Sequence, residues 1–586
     1  MRGLPPAERR PGPALDLALL LAVTLLFGLA GGTPYFHPDE VLDEAMTALT
    51  NHGDPEYFHY PGLVIYAYAA LYGTLLLLAR AFGLARSLDQ LAGLFGRTPA
   101  TGCPVLTFQS PGHLLTVLFS FLGVAAAYLA VRRLTGKRAL SLMAGVLVAT
   151  SLIWVRNNHY LTVDIPLAAL CMGTALLALR FFRNPGGPDG RQAAALGVMI
   201  GLAASAKYNG ALVGVSIVFP MLVLGWRKPG ILLARLAICG AAALLIFSAT
   251  NPFIFVDFRL FLEHFASRVE EMHEGRPGFF MSNGWLFHLS HSLWQGYGMA
   301  PLCLAAIGAA WLACTKRVAA AEKLVLLLFP LVFYLVMGRS KAAFVRHILP
   351  VVPFLGVFSA LGFRWIWEQV CRATSTRLLR GITAALLIAC PLPNALLSLR
   401  HNALLGKCDT RREMETILRG MKVSWNELTL YTGRYLKRSV DRSGIQPAEY
   451  RFSTYSLRSA NDPIHYVRRA QPDLMILDSF SHDRLLRRTR GRHPGAVEGL
   501  IVIEITPFNA PKAQVPLSPE SVYSPFLPDL VFRDRAGPYI EIYCHEPELA
   551  AAVRKACAKA GVPCVVAPGL RGFYYRRLLA SYLQGQ

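Results

Sequence analysis

Long apolar runs recur through most of this chain, and they constrain its fold more than any other feature. Leu15 to Leu29 contains a single charge, Asp16, while Leu114 to Val131 and Leu324 to Val336 contain none. A soluble core has no need of such runs repeated many times, whereas a membrane-spanning helix needs about 20 mostly apolar residues. Only 16% of the 586 residues are charged and 54% are hydrophobic, where a soluble domain carries about 25% charged residues. The chain therefore reads as a polytopic integral membrane protein.

The formal net charge is +23, a value that also suits a nucleic-acid binder. The basic residues, however, fall in short clusters between apolar runs: Arg132, Arg133, Lys137 and Arg138, then Arg227 and Lys228, then Lys316 and Arg317. That is the pattern of loops retained on the cytoplasmic side. With no nucleic-acid module in the sequence, no nucleic-acid partner is expected. The first run follows the basic stretch Met1 to Arg10, and Gly32 to Pro38 offers no small-x-small cleavage site, so this run is expected to be a retained helix. The 11 cysteines show no CxxC pair. Cys408, Cys544, Cys557 and Cys564 can supply one or two disulfides if the last third lies outside the cytoplasm.

With the N-terminus inside, alternation gives about eleven spans, the last ending near Leu397. Pro61 to Phe82 is apolar, but a crossing there would put Arg132 to Arg138 outside. It is therefore expected to be an interfacial or re-entrant helix within a large outer loop, residues 33–110. A second outer loop covers 251–295. After Leu397 charges and prolines mix with short β-like runs, Leu474 to Leu477, Leu500 to Ile505, Tyr539 to Tyr543 and Val562 to Val566. The expected architecture is mostly α: a membrane domain, 1–397, followed by an extracytoplasmic α/β domain, 398–586.

Four polar clusters face the outer side in this topology. Tyr35-Phe36-His37-Pro38-Asp39-Glu40 follows the first span, and Pro38 suits the first turn of a helix, which would place Asp39 and Glu40 at its positive end. Arg156-Asn157-Asn158-His159-Tyr160-Leu161-Thr162-Val163-Asp164 joins two spans with more ionisable groups than a connection requires. Lys207 sits at the tip of a helical hairpin bracketed by Arg191 and Arg227. The arm Ala193 to Ala206 is about 21 Å long, shorter than the roughly 30 Å hydrocarbon core, so Lys207 should lie below the surface, where an anion would offset its cost. Arg339 to Pro350 is a basic outer loop containing Arg346 and His347, against the positive-inside bias, and phosphate binding accounts for it. Trp285, His288, His291, Trp294 and Tyr297 recur at helical spacing, as sugar contacts or as interfacial anchors. The two histidines alone do not make a metal site.

Taken in order, these motifs resemble the superfamily of protein O-mannosyltransferases and lipid A aminoarabinose transferases, with the type C glycosyltransferase fold. The resemblance rests on His-Pro-Asp-Glu at His37, Tyr-Pro-Gly at Tyr60, His-Tyr-x-Thr-x-Asp-x-Pro at His159, Lys-Tyr at Lys207, Asn-Pro-Phe at Asn251 and Arg-His-x-Leu-Pro at Arg346. It implies an inverting transfer of sugar from a polyprenyl-phosphate donor to a hydroxyl of a glycolipid, glycan or protein. The expected setting is a bacterial inner membrane, among membrane lipids. It makes Asp39 the base, with Glu40 beside it and Asp164 as a second acid. Lys207, Arg346, His347, Arg156 and His159 fall on the donor phosphate side, and His37, Tyr60, Trp285 and His288 near acceptor or sugar. No cofactor is implied with certainty, and a divalent metal is left open. A lipid-linked sugar transporter or flippase is the alternative, but paired interrupted helices in two related halves are missing.

Overall fold

A computed structural model describes residues 13–32, 35, 37–95, 106–184, 186–274, 283–433, 436–452, 472–478, 501–505, 529–538, 540–544, 546–562 and 564–567. The apolar runs fold into helices because their backbone groups must be satisfied within each segment where no water reaches. Among the described residues, eight helical stretches are long and apolar enough to cross a membrane, or ten if each of two sharply bent pairs counts once. Two of the expected eleven spans, Pro13–Leu29 and Gly190–Ala206, are 17 residues each and fall outside that set. Gly62–Ala81, expected at the interface, is long enough to belong to it.

The first part of Gly62–Ala81 is tied to distant segments. Its first amide, on Gly62, donates to Asn251 Oδ1 at the end of helix Pro229–Thr250 (2.6 Å). Tyr68 bonds Thr116, in the second turn of helix Ser110–Thr135 (2.7 Å), and Tyr72 donates to the Phe108 carbonyl just before that helix. These ties hold Gly62, Tyr68 and Tyr72 to that end of the bundle.

Close packing of the bundle depends on glycine where two backbones meet. A Cβ on Gly308 would stand 1.8 Å from the Phe358 carbonyl oxygen, and one on Gly362 would stand 2.1 Å from that of Leu304. These contacts join helices Met299–Cys314 and Val352–Ala373. Small residues of this kind let membrane helices gain van der Waals contact when lipid offers no hydrophobic drive. At the end carrying the basic clusters, buried Asp16 takes Arg138 (2.7 Å) and the Tyr128 hydroxyl (2.8 Å).

The last membrane-domain helix, Leu392–Leu405, continues past Leu397. Among the described residues beyond it stand helices Thr410–Gly420, Lys437–Ser443 and Pro547–Ala560 and six strands: β1 (Thr429–Thr432), β2 (Glu449–Phe452), β3 (Leu474–Asp478), β4 (Ile501–Ile505), β5 (Ile540–Cys544) and β6 (Cys564–Ala567). The sheet order is β2-β1-β3-β5-β4-β6, with β1 parallel to β2 and β3, and the other pairs antiparallel. Met414, Ile417 and Leu418 pack with Leu430, Ile476, Ile542 and Val553 into a core separate from that of the bundle. Cys408 and Cys557 each take part in a disulfide bond, whereas Cys544, a candidate for such a bond, is a buried free thiol.

Candidate active site

Pro38 does not open a helix. The helix starts at Leu42, with Asp43 and Glu44 in its first turn, and His37 to Glu40 form a turn closed by the Glu40 amide on the His37 carbonyl (3.1 Å). Asp39 is therefore positioned by side chains rather than by a helix dipole. The Val41 amide donates to the Leu161 carbonyl (3.0 Å), and Glu40 Oε1 accepts from the Leu161 amide (3.4 Å). These bonds lock the Asp39 turn to the loop that leads into Asp164.

Asp164 opens helix Asp164–Phe181 and is buried. Lys207 follows helix Gly190–Ala206, which begins with a capping box between Asp189 and Gln192, and extended backbone at Lys207 turns the chain into a 3-10 segment, Tyr208–Gly214. Arg346 sits in a second 3-10 segment, Val345–Val351, ahead of helix Val352–Ala373. The four charges converge. Lys207 Nζ is 2.8 Å from Asp164 Oδ1, and Arg346 lies 2.8 Å from Asp39 Oδ2 and 3.7 Å from Asp164 Oδ2. Side-chain exposure is 13% for Lys207 and 8% for Arg346, so these charges interact with little screening by water.

His37 Nδ1 accepts the Asp39 amide (3.2 Å). That nitrogen has no proton to offer Asp39 Oδ2 at 3.6 Å, so the contact is not an ion pair. Burial lowers the His37 imidazole to about 3 against the pull of Asp39, with Arg346, Arg156 and Arg411 adding to the lowering. Glu40 and Glu44 carry buried Oε2 atoms that lack partners. Burial raises each to about 7.

Tyr60 presents its ring to two cations, Lys207 (5.6 Å from the centroid) and Arg268 (5.1 Å). Arg268 was not among the residues expected from sequence. It belongs to helix Phe258–Glu274, pairs with Glu271 (2.9 Å) and brings a third cation to the cluster. A signal for it exists: Phe261, His264, Phe265, Arg268 and Met272 share one helical face by spacing. His264 on that face stacks on His59 (4.2 Å) and accepts the Phe58 amide (3.2 Å).

The remaining expected residues divide. His347 lies within electrostatic reach of Lys207, Arg346, His288 and Arg268. His288 is fully buried in a π-helical stretch, His288–Leu293, bonded to Ser292 (3.1 Å) with Nε2 lacking a partner. Arg156 reaches His37 electrostatically. His159 bonds Asn402 (2.8 Å) between the rings of His113 and His401, a contact that ties its loop to helix Leu392–Leu405. Trp285 packs on Gly338 and donates to the Leu335 carbonyl (3.1 Å). It braces a helix end and stands outside the ionic cluster. Among the described residues no group of three or more His, Cys, Asp or Glu is placed to hold a metal ion.

A helical membrane bundle with carboxylates and cations meeting at one end, beneath an α/β domain, defines a class. The chain has the type C glycosyltransferase fold. ArnT from Cupriavidus metallidurans, bound to undecaprenyl phosphate, matches it with a TM-score of 0.51 at 16% identity, over 81% of this chain and 94% of that one. The Archaeoglobus fulgidus oligosaccharyltransferase in its apo form matches with a TM-score of 0.53 at 10% identity, over 84% and 73%. The family described as dolichyl-phosphate-mannose-protein mannosyltransferase matches residues 109–253, which include the Asp164 and Lys207 motifs. No curated protein sequence matches the chain. The resemblance drawn from the motifs is borne out, and the chain is a multi-pass membrane protein.

Proposed function

We propose that this chain is an inverting glycosyltransferase that moves a sugar from a polyprenyl-phosphate donor to an acceptor hydroxyl. The observation carrying this reading is the ionic cluster in which Lys207 and Arg346 bracket two carboxylates at one end of the bundle. ArnT, which shares the fold, is bound to undecaprenyl phosphate. In the reaction the acceptor O–H proton passes to Asp39 as the oxygen bonds the anomeric carbon from the face opposite phosphate. The bond from that carbon to the phosphate oxygen breaks, and its electron pair stays on polyprenyl phosphate. Lys207, Arg346 and Arg268 stabilise the charge gathering there, most strongly where water is excluded. Asp39 supplies the base and Asp164 orients the two cations. His347 lies on the donor side and His37 on the acceptor side, while His288, expected near acceptor or sugar, is within electrostatic reach of His347.

The site faces away from the cytoplasm, in a bacterial inner membrane with the N-terminus inside. Arg132, Arg133 and Arg138 stand at the opposite end of the helices that carry the site, as positive-inside topology requires. The disulfide-bonded Cys408 and Cys557 suit an oxidising compartment. Purified protein incubated with polyprenyl-phosphate sugars and a crude glycolipid extract should release polyprenyl phosphate. No release from any such donor overturns the reading.

A further inference from the structure

The α/β domain does more than stand beside the bundle. Tyr35, four residues before Asp39, is buried, and its hydroxyl donates to Glu415 and meets Ser439 Oγ at 2.8 Å. Both partners belong to the α/β domain, and both are buried. Burial, with Glu415 adding to it, raises the Tyr35 phenol to about 12, which keeps it a donor. Three guanidinium groups surround the ring: Arg411 at 4.5 Å, Arg442 at 5.4 Å and Arg412 at 5.5 Å from its centroid. Arg411 is itself fixed, since it grips Asp409 through Nε and Nη2, each at 2.9 Å. Past Asp39, Val41 is bonded to Leu161 of the bundle. The turn carrying Asp39 is thus held on one side by the bundle and on the other by the α/β domain. Arg438 adds an ion pair to Asp43, but their side-chain exposures of 32% and 61% leave it a minor tie.

We propose that the α/β domain completes the active site by clamping the Asp39 turn through Tyr35, a positioning residue. This rests on Asp39 being the base. Loss of the anchor leaves the turn held from the bundle side only, through Val41, Glu40 and Arg346, and a shift of roughly 1 Å at Asp39 costs about a hundredfold in rate.

The test uses full-length protein. Tyr35→Ala should lower kcat about a hundredfold and Tyr35→Phe about tenfold, while KM for donor and Kd for sugar-free polyprenyl phosphate change less than about twofold. Glu415→Gln keeps an acceptor and should retain activity. Glu415→Leu should cost no more than Tyr35→Phe, which also loses the Ser439 contact, and combining the two should be no worse than Tyr35→Phe alone, because the phenylalanine has already removed the bond to Glu415. Hydrogen exchange at residues 37–41 should quicken in Tyr35→Ala, with 208–214 unchanged. Unaltered exchange there, wild-type kcat in Tyr35→Ala, or a matching loss of polyprenyl phosphate binding overturns the clamp. Quickened exchange in an enzyme whose wild type turns over no lipid-linked sugar sinks the proposed function and leaves the clamp standing.

Discussion

Replacing Asp39 with asparagine keeps the size of the side chain and removes its charge and basicity. Arg346 lies 2.8 Å from that carboxylate, and a unit charge pair at about 4 Å is worth about 4 kcal/mol at an effective dielectric of 20. In the proposed reaction polyprenyl phosphate competes with Asp39 for the same guanidinium. Asp39→Asn should therefore have two effects of opposite sign. Transfer falls by about two to four orders of magnitude, the usual contribution of a general base. Binding of sugar-free polyprenyl phosphate tightens about tenfold, equivalent to about 1.4 kcal/mol, since only part of the gross pair energy is released while Asp164 remains 3.7 Å from Arg346. Release of polyprenyl phosphate from labelled donor reads the first effect, and titration of the detergent-solubilised protein with sugar-free lipid reads the second. Near wild-type release would remove Asp39 as base. Weakened lipid binding would show that Asp39 supports the donor site rather than competing with it.

Lys207→Ala should weaken donor binding and lower Tm as well, because it leaves the buried Asp164 carboxylate short of its nearest cation. Breaking a buried pair costs about 3–5 kcal/mol, and Lys207→Arg should recover only part of the loss, measured by melting and lipid titration. Glu40, raised to about 7 by burial, binds a proton in the folded protein that the unfolded chain has already lost. Stability should fall as pH rises from about 4.5 to 7 and then level off, and Glu40→Gln should make that slope shallower, leaving the part due to Glu44, in melts across the range. A slope that rises with pH and survives the substitution would contradict the burial argument. Gly308→Ala places a Cβ 1.8 Å from the Phe358 carbonyl oxygen. It should sharply reduce monodisperse protein in size exclusion, whereas Gly230→Ala, with open space around it, should not.

The membrane class, the positions of most helices and the α/β character of the C-terminal part were legible in the sequence, because an apolar run or an alternating strand announces itself locally. The Asp164, Lys207 and Arg346 motifs were legible too, since a charge at the end of an apolar run is costly wherever the chain folds. Their partners were not. That Arg346 spans Asp39 and Asp164, that Glu40 turns to Leu161 and that Trp285 braces Gly338 depend on how distant helices pack. Gly62–Ala81 is apolar enough to cross, and its ties to Asn251 and Thr116 come from the packing of distant segments, which hydropathy does not record. The partners of Arg268 and Tyr35 were hidden for the same reason: each contacts a ring or carboxylate far along the chain. Hydropathy records what each segment must bury, whereas the meeting of side chains across segments is set by packing, and that belongs to the tertiary structure alone.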